Sequence, residues 1–141
     1  MFDRVGSGRE GDPVSDLEEQ VTRRLSAAGW GNRASAITID PELEVWVWSD
    51  SPHVDRCLGW EGQQPSLRMW LEEQGMWSPN EPKPKDPKRA VELALRHARK
   101  PRSSAVYRQL ADTVGLQRCS DPALARLRAL LRTWFPINQP Y

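Results

Sequence analysis

What this sequence has little of narrows it first. Only two cysteines occur in its 141 residues, Cys57 and Cys119, both isolated and without metal-ligand spacing. That excludes a disulfide framework and a zinc ribbon, and lone thiols of this kind suit a reducing compartment. No apolar run approaches the roughly 20 residues that a membrane helix requires. The amino terminus lacks the basic-then-apolar pattern of a secretory signal, so a cytoplasmic location is expected. His53 and His97 are the only histidines, and neither has a nucleophile and an orienting partner beside it in the sequence. The loop Gly6-Ser7-Gly8-Arg9-Glu10-Gly11 is glycine-rich but lacks the Lys-Ser/Thr ending of a P-loop. It reads as a plain loop, or at most as a flexible loop at an active edge.

The net charge of +1 conceals a strong polarity. Residues 1–82 carry 7 basic against 15 acidic side chains, and residues 83–141 carry 13 against 4. A basic half of this kind is a hint of a nucleic-acid or acidic partner. Mutual neutralisation of the two halves explains it equally well.

Periodicity and punctuation give the elements. Met1-Phe2-Asp3 reads as the end of a strand, and Asp12-Pro13 opens a helix with Val14, Leu17, Val21, Leu25 and Ala28 inward and Gly29 as its stop. A strand over 34–39 follows, and Asp40-Pro41 reads as the start of a second helix with Glu42 and Glu44 in its first turn. Ser51-Pro52, Pro65-Ser66, Asp86-Pro87, Ser103-Ser104 and Asp121-Pro122 head five further helices. The fourth of these five starts precedes a helix stopped by Gly115, and the tail from Pro136 reads as loosely held. The expected fold is helix-rich α/β: a small parallel sheet followed by a helical carboxyl-terminal section. The expected organisation is an α/β fragment over 1–77, a Pro-rich connector over 78–87 and a basic helical section over 88–141 packed on the same domain.

Two constellations carry the chemistry. Asp3 and Asp40 end two strands joined by one helix, which brings them to one sheet edge, with Glu42 and Glu44 close in sequence. Mg²⁺ takes hard oxygen ligands and keeps several waters, so Asp3, Asp40 and Glu42 form a candidate metal set, with Asp3, Glu42 and Glu44 as candidate catalytic carboxylates. As isolated acids at helix starts, the same residues need no function beyond capping. Arg96, Arg99, Lys100 and Arg102 cluster about the end of one helix and form a candidate phosphate-gripping ridge, continued by Arg126, Arg128 and Arg132. Cations at a helix carboxyl terminus also favour the helix dipole. The seven tryptophans are many for this length; Trp70, Trp77 and Trp134 read as core, and Trp46 and Trp48 cannot share one helix face.

The run Phe2-Asp3-Arg4-Val5-Gly6-Ser7-Gly8, a helix, then Ile39-Asp40-Pro41-Glu42-Leu43-Glu44-Val45-Trp46 resembles the second half of bacterial Toprim-like domains. Lys-Pro-Arg-Ser-Ser at 100–104, Arg-Cys-Ser-Asp-Pro at 118–122 and the ending Leu-Arg-Ala-Leu-Leu-Arg-Thr-Trp-Phe at 127–135 are similar to the Toprim-like proteins of methylation-associated phage-defence systems. The resemblance implies DNA or another nucleic acid as partner, a methyltransferase and other defence proteins beside it, and Mg²⁺ held by Asp3 with Glu42 or Glu44. Two departures bear on the chemistry. The Glu that such a domain draws from an earlier strand has no counterpart after Met1, and Val5 stands where a second acid is expected. The chain is therefore expected to be an amino-terminally shortened domain, either a metal-dependent nuclease or a noncatalytic interaction subunit with a degenerate site.

Overall fold

Residues 1–114 and 119–136 are described by the structure, a computed structural model of the chain. Within them lie six α-helices and one two-stranded parallel sheet, so the helix-rich α/β expectation holds. The helix stop expected at Gly115, Arg118 of the 118–122 motif and the tail beyond Pro136 lie outside the described residues. The chain divides into two compact units: Met1–Glu42 with Ser120–Tyr141, and Leu43–Cys119.

In the first unit, strand β1 (Phe2–Asp3) pairs with β2 (Thr38–Ile39), Phe2 opposite Thr38 and Asp3 opposite Ile39. Helix α1 (Val14–Ala27) joins them and packs on β2. The strand expected over 34–39 is paired only at its last two residues, because a ladder extends no further than the partner that supplies its hydrogen bonds. Leu17 alone is fully buried on α1; Val14, Val21 and Leu25 are half-buried. Gly29 ends the helix at φ 86°, as the sequence indicated.

The last helix of the chain, α6 (Pro122–Trp134), belongs to this unit, although the sequence grouped it with the basic section. Glu18 on α1 is the reason. Its Oε1 accepts from the Thr38 backbone N–H on β2 at 2.8 Å and from Arg126 Nη2 on α6 at 2.8 Å. Asp121 caps α6 through the N–H groups of Ala123 and Leu124, a contact that contributes about 1 kcal/mol. The expected apolar stripe fades along α6: Leu124 is buried, Leu127 and Leu130 half-buried, Leu131 and Trp134 exposed. Trp134 is thus not a core residue here.

In the second unit, α2 (His53–Leu58), α3 (Leu67–Glu73), α4 (Pro87–His97) and α5 (Ser104–Thr113) enclose a core that includes Leu58, Leu71, Val91 and Leu95. Helix α4 also packs on a short 3₁₀ turn, Leu43–Trp46. That turn replaces the helix expected from Pro41. Val45, Val47 and Trp48 are all buried, which no single 3.6-residue face accommodates, and valines and tryptophans are weak helix formers. The segment over 78–87 is not a free connector: Pro84 and Pro87 are buried, and Lys83 Nζ donates to the Val45 carbonyl at 2.9 Å. Ser66 and Asp86 cap α3 and α4 through Met69 N–H and Arg89 N–H.

Candidate functional site

The acidic edge begins with the two-residue sheet. Both strands are parallel, so Asp3 and Ile39 end at the same edge and Asp40 follows directly. Asp3 is half-buried there. Asp40 does not cap a helix. Its Oδ2 accepts from Arg4 Nη1 at 2.8 Å, and the other Arg4 terminal nitrogen, Nη2, donates to the Asp12 carbonyl at 3.0 Å. The backbone repeats the closure, with Val5 N–H donating to the Pro41 carbonyl at 2.9 Å. Arg4 therefore supplies the positive charge at this edge from within the chain.

The glycine loop is closed by its own carboxylate. Glu10 Oε1 accepts from Gly6 N–H at 2.8 Å and Gly8 N–H at 3.3 Å. Bonds from its own and these two backbone N–H groups hold the Glu10 carboxyl below its usual value. The donors a phosphate would need are already satisfied, which agrees with the plain-loop reading.

Glu42 and Glu44 are both buried, each only 7% exposed. Glu44 belongs to the second unit, apart from the unit that holds Asp3, Asp40 and Glu42. It is the acceptor of a three-residue network: Arg102 Nη2 donates to Glu44 Oε1 at 2.9 Å, and the Tyr107 hydroxyl donates to the same oxygen at 3.0 Å. Arg102 Nη1 reaches Glu92 at 2.8 Å, and its Nε donates to the Tyr107 hydroxyl at 3.1 Å. The Tyr107 hydrogen bond, then the Glu44 and Glu92 charges, hold the Arg102 guanidinium above its ordinary value. Burial and the Glu44 charge push the Tyr107 phenol up. Among the described residues, no group of three or more His, Cys, Asp or Glu side chains is gathered closely enough to hold a metal ion.

The basic ridge is built on the end of α4. Helix α4 ends at His97 with Ala98 as its cap, and Arg99 takes a left-handed φ of 53°. Arg99 N–H then donates to the Arg96 carbonyl at 3.1 Å and Lys100 N–H to the Leu95 carbonyl at 2.9 Å, the two bonds of a Schellman ending. Glycine usually holds this position, because a Cβ is disfavoured at positive φ. The four expected phosphate ligands then part company. Arg102 is matched by two carboxylates. Lys100 Nζ donates to the Cys57 carbonyl at 3.2 Å, a cation at the carboxyl end of α2. Arg96 and Arg99 stay exposed and make no ion pair among the described residues. An open cleft of about 350 Å³ lies along Glu92, Leu95, Arg96, Lys100 and Arg102.

Several contacts had no signal in the sequence. His97 stacks on Trp60 at 4.9 Å between ring centroids and lies 4.7 Å from Trp70. Trp48 meets Trp77 edge-on at 5.3 Å. The tryptophan count hinted at aromatic clusters, yet not at which rings meet.

The fold and these contacts define a helix-rich α/β protein with a two-stranded parallel sheet, an acidic strand edge and a basic helix end. Comparison with known protein families, curated proteins and solved structures finds no match to this chain. No helix among the described residues is long and apolar enough to cross a membrane.

Proposed function

We propose that this chain is a Toprim-like, nucleic-acid-binding component of a bacterial DNA-modification-linked phage-defence system, acting beside a methyltransferase and other defence proteins as a noncatalytic subunit. The reading joins the motif resemblance to one observation: Arg96 on the last turn of α4 and Arg99 in the left-handed turn that follows are exposed, with no carboxylate paired to them among the described residues. Two such guanidiniums at one turn suit the phosphates of a nucleic-acid backbone, which dominate affinity without reading sequence. The noncatalytic part rests on the commitment of Asp40 to Arg4 and of Glu44 to Arg102 and Tyr107. A guanidinium 2.8 Å from Asp40 opposes a divalent cation on that carboxylate.

A second reading, a Mg²⁺-dependent nuclease, is favoured by the in-register end of the two strands, which sets Asp3 beside the residue preceding Asp40. Asp3, Asp40 and Glu42 would hold the ion, which would supply a polarised water and charge stabilisation at a phosphodiester. The two readings separate in one experiment. Labelled duplex and single-stranded DNA are incubated with the protein, with and without Mg²⁺, and scored for binding and for cleavage. Binding without cleavage supports the noncatalytic reading. Mg²⁺-dependent cleavage abolished in Asp3→Asn overturns it in favour of the nuclease.

A further inference from the structure

The second unit contains a cleft of about 540 Å³ that none of the preceding roles uses. Its size falls within the roughly 300–1,000 Å³ of small-ligand pockets. Trp48 and Trp77 form aromatic walls, and Ser49, Asp50 and Asp55 line it. Two features of this lining are unbalanced. The Ser49 hydroxyl oxygen is buried and has no hydrogen-bond partner among the described residues. Asp55 makes no ion pair among the described residues, and burial alone pushes its carboxyl above the usual value.

Arg68 also lines the cleft, and its commitments indicate what the walls accept. Its guanidinium lies 4.8 Å from the centre of the Trp77 ring. Its hydrogen bonds go to Glu72 at 3.0 Å, to the Pro79 carbonyl at 3.0 Å and to the Glu81 carbonyl at 3.2 Å. The chain's own cation thus occupies one indole face and leaves Asp55 unmatched. An anion would meet an Arg68 already engaged through Nε and Nη2 and an Asp55 that repels it. Aromatic rings with an adjacent carboxylate are the recognition chemistry of organic cations.

We propose that this cleft binds an organic cation, a guanidinium or alkylammonium group that packs against the Trp48–Trp77 walls, pairs with Asp55 and accepts the contact of the Ser49 hydroxyl oxygen. Such a group arrives either as a free amine or as an Arg or Lys side chain of a partner protein. The cation does not depend on the nucleic-acid reading, since the basic helix end and this cleft share no residue.

The test uses the whole chain and tryptophan fluorescence, titrated with ethylguanidinium, butylammonium and the uncharged isostere ethylurea. Saturable quenching by the two cations and none by ethylurea is expected, and Asp55→Asn should weaken it by about tenfold, the scale of a lost charge-assisted hydrogen bond. In the wild-type protein, NMR shifts on cation binding should centre on Asp55 and the indoles of Trp48 and Trp77, which tests the site without any variant. A blocked arginine dipeptide that binds about tenfold tighter than ethylguanidinium identifies a protein side chain as the source, and equal affinities identify a free amine. Equal response to ethylurea, unchanged binding in a folded Asp55→Asn, or shifts centred elsewhere overturns the proposal.

Discussion

Glu44 and Arg102, 58 residues apart in sequence, meet at 2.9 Å, and the buried carboxylate of one is satisfied by the guanidinium and phenol that the other holds in place. The pair ties the 3₁₀ turn at Leu43–Trp46 to the start of α5. Glu44 is the better buried partner, while Arg102 is 42% exposed and keeps Glu92 as a second acceptor. Removing Arg102 therefore costs more than an exposed ion pair does, because it strands a buried carboxylate. Arg102→Ala should lower stability by about 1–3 kcal/mol, discounted from a fully buried pair for solvent access. Urea unfolding of Arg102→Ala, Glu44→Ala and the double variant checks it. A Glu44–Arg102 coupling near zero in that cycle contradicts the network.

Gly59 ends α2 at φ 84° under the side chains of the basic turn. A Cβ there would stand 3.0 Å from Ala98 Cβ and 3.0 Å from Lys100 Cδ. Gly59→Ala adds backbone strain to that crowding and should cost about 1–3 kcal/mol. Thermal unfolding measures it. A variant as stable as the wild type would show that the helix end and Lys100 are not packed this closely.

Arg99 tests whether function holds a strained residue in place. Its left-handed conformation suits glycine, and Arg99→Gly relieves that strain at the price of a looser unfolded chain. A net gain of up to about 1 kcal/mol is expected from chemical denaturation. The same variant should bind DNA more weakly. Loss of stability together with unchanged binding would assign Arg99 a packing role instead.

Asp55 gives a pH signature. Its carboxyl lies above its ordinary value because burial penalises the charged form. The folded state is therefore favoured while the group is protonated, and that contribution is lost as pH rises through the folded value. Asp55→Asn should be modestly more stable than the wild type at neutral pH, and the difference should close below about pH 3.9, the unfolded reference value. Stability curves of the two proteins from pH 3 to pH 8, taken about every unit, provide the comparison.

Much of the local structure was legible because it is written in local chemistry. Asp86 and Asp121 cap the helices that their Asp-Pro pairs announce, and Gly29 stops α1. The same signal misled at Asp40-Pro41, where a capping residue before valines and tryptophans that all seek burial yields a 3₁₀ turn and an ion pair to Arg4. Parallel strand ends bringing Asp3 level with Ile39 were legible from a strand–helix–strand rhythm. The partner choices were not. Whether Arg102 faces a phosphate or Glu44, and whether α6 returns to α1 through Glu18 and Arg126, are long-range matters that neither periodicity nor composition encodes.

The salt dependence of DNA affinity tests the central claim most directly. Fluorescence anisotropy on a short duplex at several salt concentrations yields the slope of log affinity against log salt, about 0.9 per phosphate neutralised. The Arg96→Ala/Arg99→Ala double variant, folded by circular dichroism, should bind more weakly at every salt concentration, with a slope shallower by nearly two of these increments. Binding by the wild type that ignores salt, or a double variant with the wild-type slope and affinity, would contradict a nucleic-acid role for the basic helix end.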